Sequence, residues 1–280
     1  MNRNRIVKIS IILTCFCLIV FTGSFIAGSI LIDAAPVKIG PPPSGSNLTN
    51  VKFKSKNGQE IRGWYGEGQL NNGAVILIHG IRSNRLQMLS RTRFLQEQGI
   101  AVLLFDLQAH GESDGERISF GYYESQSAEA AVQFMRSILP KEKIAIIGVS
   151  LGGAACLLGE KPVSADMLII EQAYASIEEA VINRLTIRLG QIGRYVAPLL
   201  LCQIPLRLGI SKEQLRPVEA VKKVKCPIFI IGGSDDRRTL SNETFRIYHE
   251  ASEPKELWIV KGGRHVDIFN YAGAEYRKRY

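Results

Sequence analysis

Residues 143–152 read Lys-Ile-Ala-Ile-Ile-Gly-Val-Ser-Leu-Gly: an apolar run, Ile144 to Ile147, passes directly into Gly148-Val149-Ser150-Leu151-Gly152 and then into a segment of helical composition. A strand that turns sharply into a helix holds its central residue in a strained conformation, and side chains at the two glycine positions would collide with the neighbouring strand and helix. The turn presents the Ser150 hydroxyl at a sheet edge and at a helix N-terminus, where partial positive charge favours an anion. The alternative is a glycine-rich turn with an idle serine.

A serine hydroxyl is too weak an acid to attack alone at neutral pH, so an activating base and a carboxylate to orient it are expected elsewhere. The apolar run Ile228 to Ile231 ends in Gly232-Gly233-Ser234-Asp235-Asp236, and the run Leu257 to Val260 is followed by Gly262-Gly263-Arg264-His265. Both loops follow buried strands, which places a carboxylate and an imidazole on one edge. Asp236 is the favoured acid; Asp235 beside it and Glu171, at the end of the run Met167 to Ile170, are the alternatives. His249 reads as a helix-surface residue. Directly after Ala74 to Ile78 comes His79-Gly80-Ile81. The N–H of Ile81, paired with that of Leu151, is a candidate oxyanion hole; an ordinary strand-to-loop turn is the bland reading.

Further runs at Ala74 to Ile78 and Ala101 to Phe105 complete a series of apolar segments suited to strands buried on both faces. Between them, Leu86 to Gln98, Glu124 to Leu139, Gly152 to Glu160 and Asn242 to Ala251 have helical length and mixed polarity. The alternation predicts an α/β fold, a mostly parallel sheet covered by helices. Val51 to Lys54 and Glu60 to Tyr65 flank Asn57-Gly58, a hairpin signal. From about 176 to 218 the alternation lapses into a helical, unusually apolar insert punctuated by arginines, expected to be a cap or to pack plainly on the domain. A greasy, cationic cap suits an acyl-chain substrate or a bilayer surface.

These motifs together resemble the α/β-hydrolase superfamily of serine hydrolases, in particular its membrane-anchored lipase and esterase branches. The resemblance covers residues 50–280 through Leu77-Ile78-His79-Gly80, Phe105-Asp106-Leu107-Gln108-Ala109-His110-Gly111-Glu112-Ser113, the elbow at Ser150, Gly233-Ser234-Asp235-Asp236 and Gly263-Arg264-His265. It implies Ser150 as nucleophile, Asp236 as acid, His265 as base, and Ile81 and Leu151 as oxyanion donors. The chain departs from the family pattern at Gln108-Ala109, often Arg-Gly, and at Gly232-Gly233, often His-Gly; both changes bear on the pocket rim rather than on a catalytic group. The expected reaction is hydrolysis of carboxylic esters or thioesters. A peptidase, amidase or acyltransferase on the same triad, or a silent binding protein on the same fold, is the rival expectation.

At the N-terminus, the 24 residues from Ile9 to Ile32 carry no charge; at about 1.5 Å each they reach roughly 36 Å, enough for a hydrocarbon core. Arg3, Arg5 and Lys8 precede the run and Asp33 comes after it, so a cytoplasmic 1–8 and a hydrolase domain on the other side of the membrane are expected. A cleaved signal peptide, with small residues at Ala27 and Ser29 or at Ala34 and Ala35, is the competing reading. Residues 33–49, with Pro41-Pro42-Pro43-Ser44-Gly45-Ser46, have the composition of an extended spacer, and the folded part is expected from about Asn50.

Composition excludes other classes. The chain has 280 residues, 46% of them hydrophobic, and five cysteines, too few for a disulfide framework. The formal net charge of +9 comes from scattered Lys and Arg without a basic helix, so no nucleic-acid partner is expected. No metal-ligand spacing and no phosphate-binding glycine loop occurs, so no cofactor is expected; the expected partners are a small acyl ester and the lipid bilayer. Asn47-Leu48-Thr49 and Asn242-Glu243-Thr244 fit the glycosylation pattern, meaningful only in a eukaryotic secretory pathway.

Overall fold

The computed structural model describes residues 3–279. The apolar runs form the strands of one eight-stranded sheet among the described residues. In chain order these are β1 (Leu48–Lys54), β2 (Glu60–Gly66), β3 (Ala74–Ile78), β4 (Ala101–Phe105), β5 (Ile144–Val149), β6 (Met167–Glu171), β7 (Ile228–Gly233) and β8 (Lys255–Val260). Across the sheet they lie β8-β7-β6-β5-β3-β4-β2-β1. From β8 to β4 all neighbours are parallel, whereas β2 and β1 join as an antiparallel pair on the β4 edge.

Alternation along the strands divides the core between two faces. Ile76, Ile78, Leu103, Phe105, Ile146, Leu168 and Ile170 point to one apolar cluster. Val75, Leu77, Val102, Leu104, Ile147, Ile169 and Ile231 point to the other. Helices α3 (Glu124–Ile138) and α4 (Leu151–Leu157) contribute Ala128, Val132, Met135 and Ala155 to the first, and α2 (Leu89–Glu97) contributes Leu95 to the second. Both faces being covered is why the parallel strands read as unbroken apolar runs rather than as alternating ones.

Register places the site. Val149 is level with Glu171, Glu171 with Ile231, and Val260 with Gly233, so the residues just past β5, β6, β7 and β8 emerge along one carboxyl edge. Functional groups gather there in open parallel sheets.

The insert between β6 and β7 is helical: α5 (Ile177–Leu189), α6 (Ile192–Leu201) and α7 (Ile204–Leu208), with short turns after them at Lys212–Gln214 and Pro217–Ala220. Ser176 caps α5 by accepting from the Glu179 N–H. Gly193 lets α6 close on α5: a Cβ there would lie 2.5 Å from the Leu185 carbonyl carbon. After β7 and β8 come α8 (Ser241–Glu250) and α9 (Ile268–Ala272).

The N-terminal run forms α1 (Arg3–Ile32). Residues 33–40 differ from the expected spacer. Ala35–Pro36 pairs in parallel with His110–Gly111, the Val37 N–H donates to the Gly111 carbonyl at 2.8 Å, and the Ile39 and Gly40 N–H groups both donate to a Glu112 carboxylate oxygen at 3.0 Å. The segment is extended, but strapped to the domain. Residues 35–40 therefore belong to the folded body, which the sequence placed from about Asn50 onward.

Candidate active site

Ser150 sits between β5 and α4 at φ 52°, ψ −106°, in the left-handed half of φ space that a non-glycine residue rarely occupies. The glycines around it are there for space. A Cβ on Gly148 would lie 2.7 Å from the backbone of Gly152 and Gly153, and one on Gly152 would lie 2.5 Å from the Ile78 carbonyl oxygen. The Ser150 N–H donates to the Glu171 carbonyl at 2.7 Å, which pins the elbow to the neighbouring strand end.

The structure brings Ser150, His265 and Asp236 into one line. His265 Nε2 is 3.2 Å from Ser150 Oγ, and His265 Nδ1 is 2.7 Å from Asp236 Oδ2. Asp236 is buried and well supplied with donors. Its Oδ1 accepts from the Arg238 N–H at 2.8 Å and the Thr239 N–H at 3.0 Å; its Oδ2 also accepts from Thr239 Oγ1 at 2.7 Å and Gln172 Nε2 at 3.0 Å. Burial acts to raise the Asp236 carboxyl, but the hydrogen bond and charge of His265, with the Thr239 donors, outweigh it and hold the group below the ordinary carboxylate range. The acid is thus an ionised acceptor facing the imidazole.

The two alternative carboxylates lie elsewhere. Asp235 is exposed and accepts from Ser234 Oγ. Glu171 is fully buried and committed to Arg91 at 2.6 Å and to the Tyr276 hydroxyl. Arg91 in turn reaches Asp267 at 2.6 Å, so this ion pair ties the C-terminal segment to the sheet.

The loop after β3 approaches the serine closely: a Cβ on Gly80 would stand 3.7 Å from Ser150 Cβ. His79 is fully buried and holds this loop. Its Nδ1 donates to the Gly80 carbonyl at 2.7 Å while its Nε2 accepts from the Leu107 N–H at 3.0 Å, which is the neutral tautomer. Burial, together with the nearby His110, pushes the His79 imidazole down to about 3. The Gly80 N–H is taken by Gln87 Oε1 at 2.8 Å. The next N–H, that of Ile81, has no protein acceptor among the described residues. Leu151 is the first residue of α4, so its N–H has no partner within the helix. Leu151 follows Ser150 directly, and Ile81 follows the glycine that comes closest to it.

Sequence reasoning missed Gln172 and Thr239. The Asp236-Arg237-Arg238-Thr239 spacing is a signal of a carboxylate closing a turn on its own downstream N–H groups. Gln172, at φ 51°, carries no local signal; only the register of β6 against β7 brings it to Asp236. The cap also touches this region: Asn183 of α5 donates to the Arg238 carbonyl at 3.2 Å and to Glu243 at 2.7 Å.

The family model described as serine aminopeptidase, S33, matches residues 69–215, just over half of the chain. The chain belongs to this family of α/β-hydrolases. Among curated relatives, the S33-family chain is similar to the uncharacterized protein YqkD of Bacillus subtilis, at 26% identity over 82% of this chain and 77% of that one. Among solved structures, it is similar to an esterase from Pyrococcus furiosus with a TM-score of 0.70, 19% identity, and coverage of 88% of this chain and 95% of that one. It is also similar to the acylaminoacyl peptidase of Pyrococcus horikoshii, with a TM-score of 0.60, 18% identity, and coverage of 83% and 40%. The family match makes the chain an α/β-hydrolase, and the solved structures share its fold.

Proposed function

We propose that this hydrolase cleaves carboxylic esters or thioesters of lipophilic acyl groups through an acyl-Ser150 intermediate. The observation that carries the reading is the line Ser150 Oγ, His265 Nε2, His265 Nδ1, Asp236 Oδ2, with spacings of 3.2 and 2.7 Å at its two joints. His265 takes the hydroxyl proton as Ser150 Oγ forms a bond to the acyl carbon. The N–H groups of Ile81 and Leu151 receive the negative charge that develops on the acyl oxygen. Collapse breaks the bond to the alcohol or thiol, which leaves with the proton from His265. Water, activated by the same imidazole, then releases the acid. Asp236 keeps Nδ1 protonated and stabilises the imidazolium.

The lipophilic preference rests on the apolar cap and on α1. Ser10–Ile32 is long and apolar enough to cross a membrane. Its length, beyond the apolar stretch of a signal peptide, supports an uncleaved anchor, and its flanking charges support residues 1–8 on the cytoplasmic side with the hydrolase body opposite. The test is the Ser150→Ala protein assayed on p-nitrophenyl acyl esters of graded chain length, alongside fluorophosphonate labelling. Loss of turnover and of labelling is expected. Native-rate hydrolysis by Ser150→Ala would remove the reading, and turnover of amides in preference to esters would replace it with an amidase.

A further inference from the structure

The cap and α1 lie side by side, and their contacts advance together. Ser24 Oγ donates to the Leu199 carbonyl at 3.0 Å, and Gln203 Nε2 donates to Ser24 Oγ at 2.9 Å. One turn further, Arg207 Nη1 donates to Ser29 Oγ at 2.9 Å, and its guanidinium stands 4.1 Å over the Phe25 ring. Ile32 then enters the same apolar cluster as Ile204 and Leu208. Partners thus progress from 24 with 199 to 29 with 207, so α6 and α7 run in the same direction as the last turns of α1.

That contact falls inside the uncharged run of α1. Ser24 lies eight residues before Ile32, about 12 Å along the helix, and α6 begins seven residues before Leu199, at most about 10 Å further toward the N-terminus of α1. At that level the α5–α6 hairpin exposes Leu189, Ile192 and Tyr195, Tyr195 at 81%, between and beside Arg188 and Arg194, and no charge occurs from Tyr195 to Leu206. A neighbour packed on a membrane-crossing helix within its apolar run shares the medium of that helix.

We propose that the tip of the α5–α6 hairpin is set into the phospholipid leaflet from which α1 emerges. The proposal rests on the reading of α1 as an anchor. Arg188 and Arg194 are exposed beside the apolar tip, and long cationic side chains of this kind reach from an immersed stem to lipid phosphates. The other end of the hairpin reaches the site, because Asn183 bonds the loop that carries Asp236. The cap therefore joins the acyl layer to the catalytic edge, and a lipid substrate enters along it.

The test uses the full chain in vesicles of phosphatidylcholine and phosphatidylglycerol, with and without brominated acyl chains, which quench tryptophan. The two native tryptophans, Trp64 and Trp258, are buried in the core, so an added one reports its own surroundings. Ile192→Trp and, independently, Tyr195→Trp are compared with Leu70→Trp, a control at a position 85% exposed outside the cap. The cap variants are expected to lose about half of their added emission to bromination while the control loses little. An equal fractional loss to bromination in cap and control, in protein that stays in the membrane through alkaline carbonate, would overturn the cap proposal alone. Release by carbonate would overturn the anchor reading and the cap proposal with it.

Discussion

The guanidinium of Arg82 donates to the Ile30 carbonyl at the end of α1 and reaches the Asp33 carbonyl at 3.3 Å. Arg82 comes directly after Ile81 and is itself held at φ 55°. The loop that offers the Ile81 N–H is therefore fastened on one side by His79 and Gln87 and on the other by the last turn of α1. Replacing Arg82 by Ala is expected to lower kcat by about 10-fold or more, since small misplacements of catalytic groups are costly, while KM changes little. Arg82→Lys, which keeps a donor, should recover most of the loss. Steady-state kinetics on a p-nitrophenyl ester measure both, and an unchanged kcat in Arg82→Ala would dissociate α1 from the loop that carries Ile81.

Asp236→Asn preserves shape but leaves an amide opposite His265 Nδ1. The imidazole then loses its preferred tautomer and the charge that stabilises its protonated form. A fall in kcat of about 1,000-fold or more is expected, with little loss of folding. Glu171→Gln makes the contrast: it breaks the Arg91 pair inside the core, so the expected damage is to stability, read by urea unfolding, before turnover.

Stability should fall as pH drops below neutrality, before most carboxylates titrate. His79 is neutral in the folded protein down to about pH 3, whereas an unfolded histidine takes a proton near pH 6.5. Below 6.5 the unfolded chain binds a proton that the folded chain refuses, so stability rises with pH in this window and is lost on acidification. One such group contributes a slope of about 1.4 kcal/mol per pH unit, or about 2 kcal/mol by pH 5. His110, also lowered by burial, acts in the same direction. Urea midpoints of the detergent-extracted protein at pH 7, 6 and 5 test this; a flat profile would contradict a buried neutral His79.

Gly152→Ala is expected to cost about 2–3 kcal/mol, because its Cβ meets backbone carbonyl oxygens of Ile78 and His79 at 2.5 and 2.8 Å. Gly80→Ala is the comparison. Its nearest neighbour would be 3.6 Å away, an ordinary contact. Differential scanning of the two variants should show a large fall in Tm for the first and a small one for the second.

The sheet was legible because strands buried on both faces leave continuous apolar runs, and the elbow because its glycines are required by backbone contacts that recur wherever a strand turns into a helix in this way. The choice among Asp235, Asp236 and Glu171 was not settled by sequence, since all three lie at or just past the end of a strand. The Arg91 guanidinium, contributed by a helix about eighty residues away, takes Glu171 out of the choice, and the turn after β7 buries Asp236 against His265 while leaving Asp235 in solvent. The strap at 35–40 was invisible for a different reason: it is held by backbone groups and by one carboxylate, Glu112, so it imposes no side-chain period.

Had residues 33–49 been a free leash, the domain would have wandered over roughly 20 Å above its point of attachment, the reach of a flexible chain of that length. Fastened to Glu112 and to the 109–111 loop, the same residues act as a rigid bracket. The catalytic edge then keeps one orientation relative to the end of α1, so the approach open to a molecule on its way to Ser150 is set by the bracket as well as by the pocket.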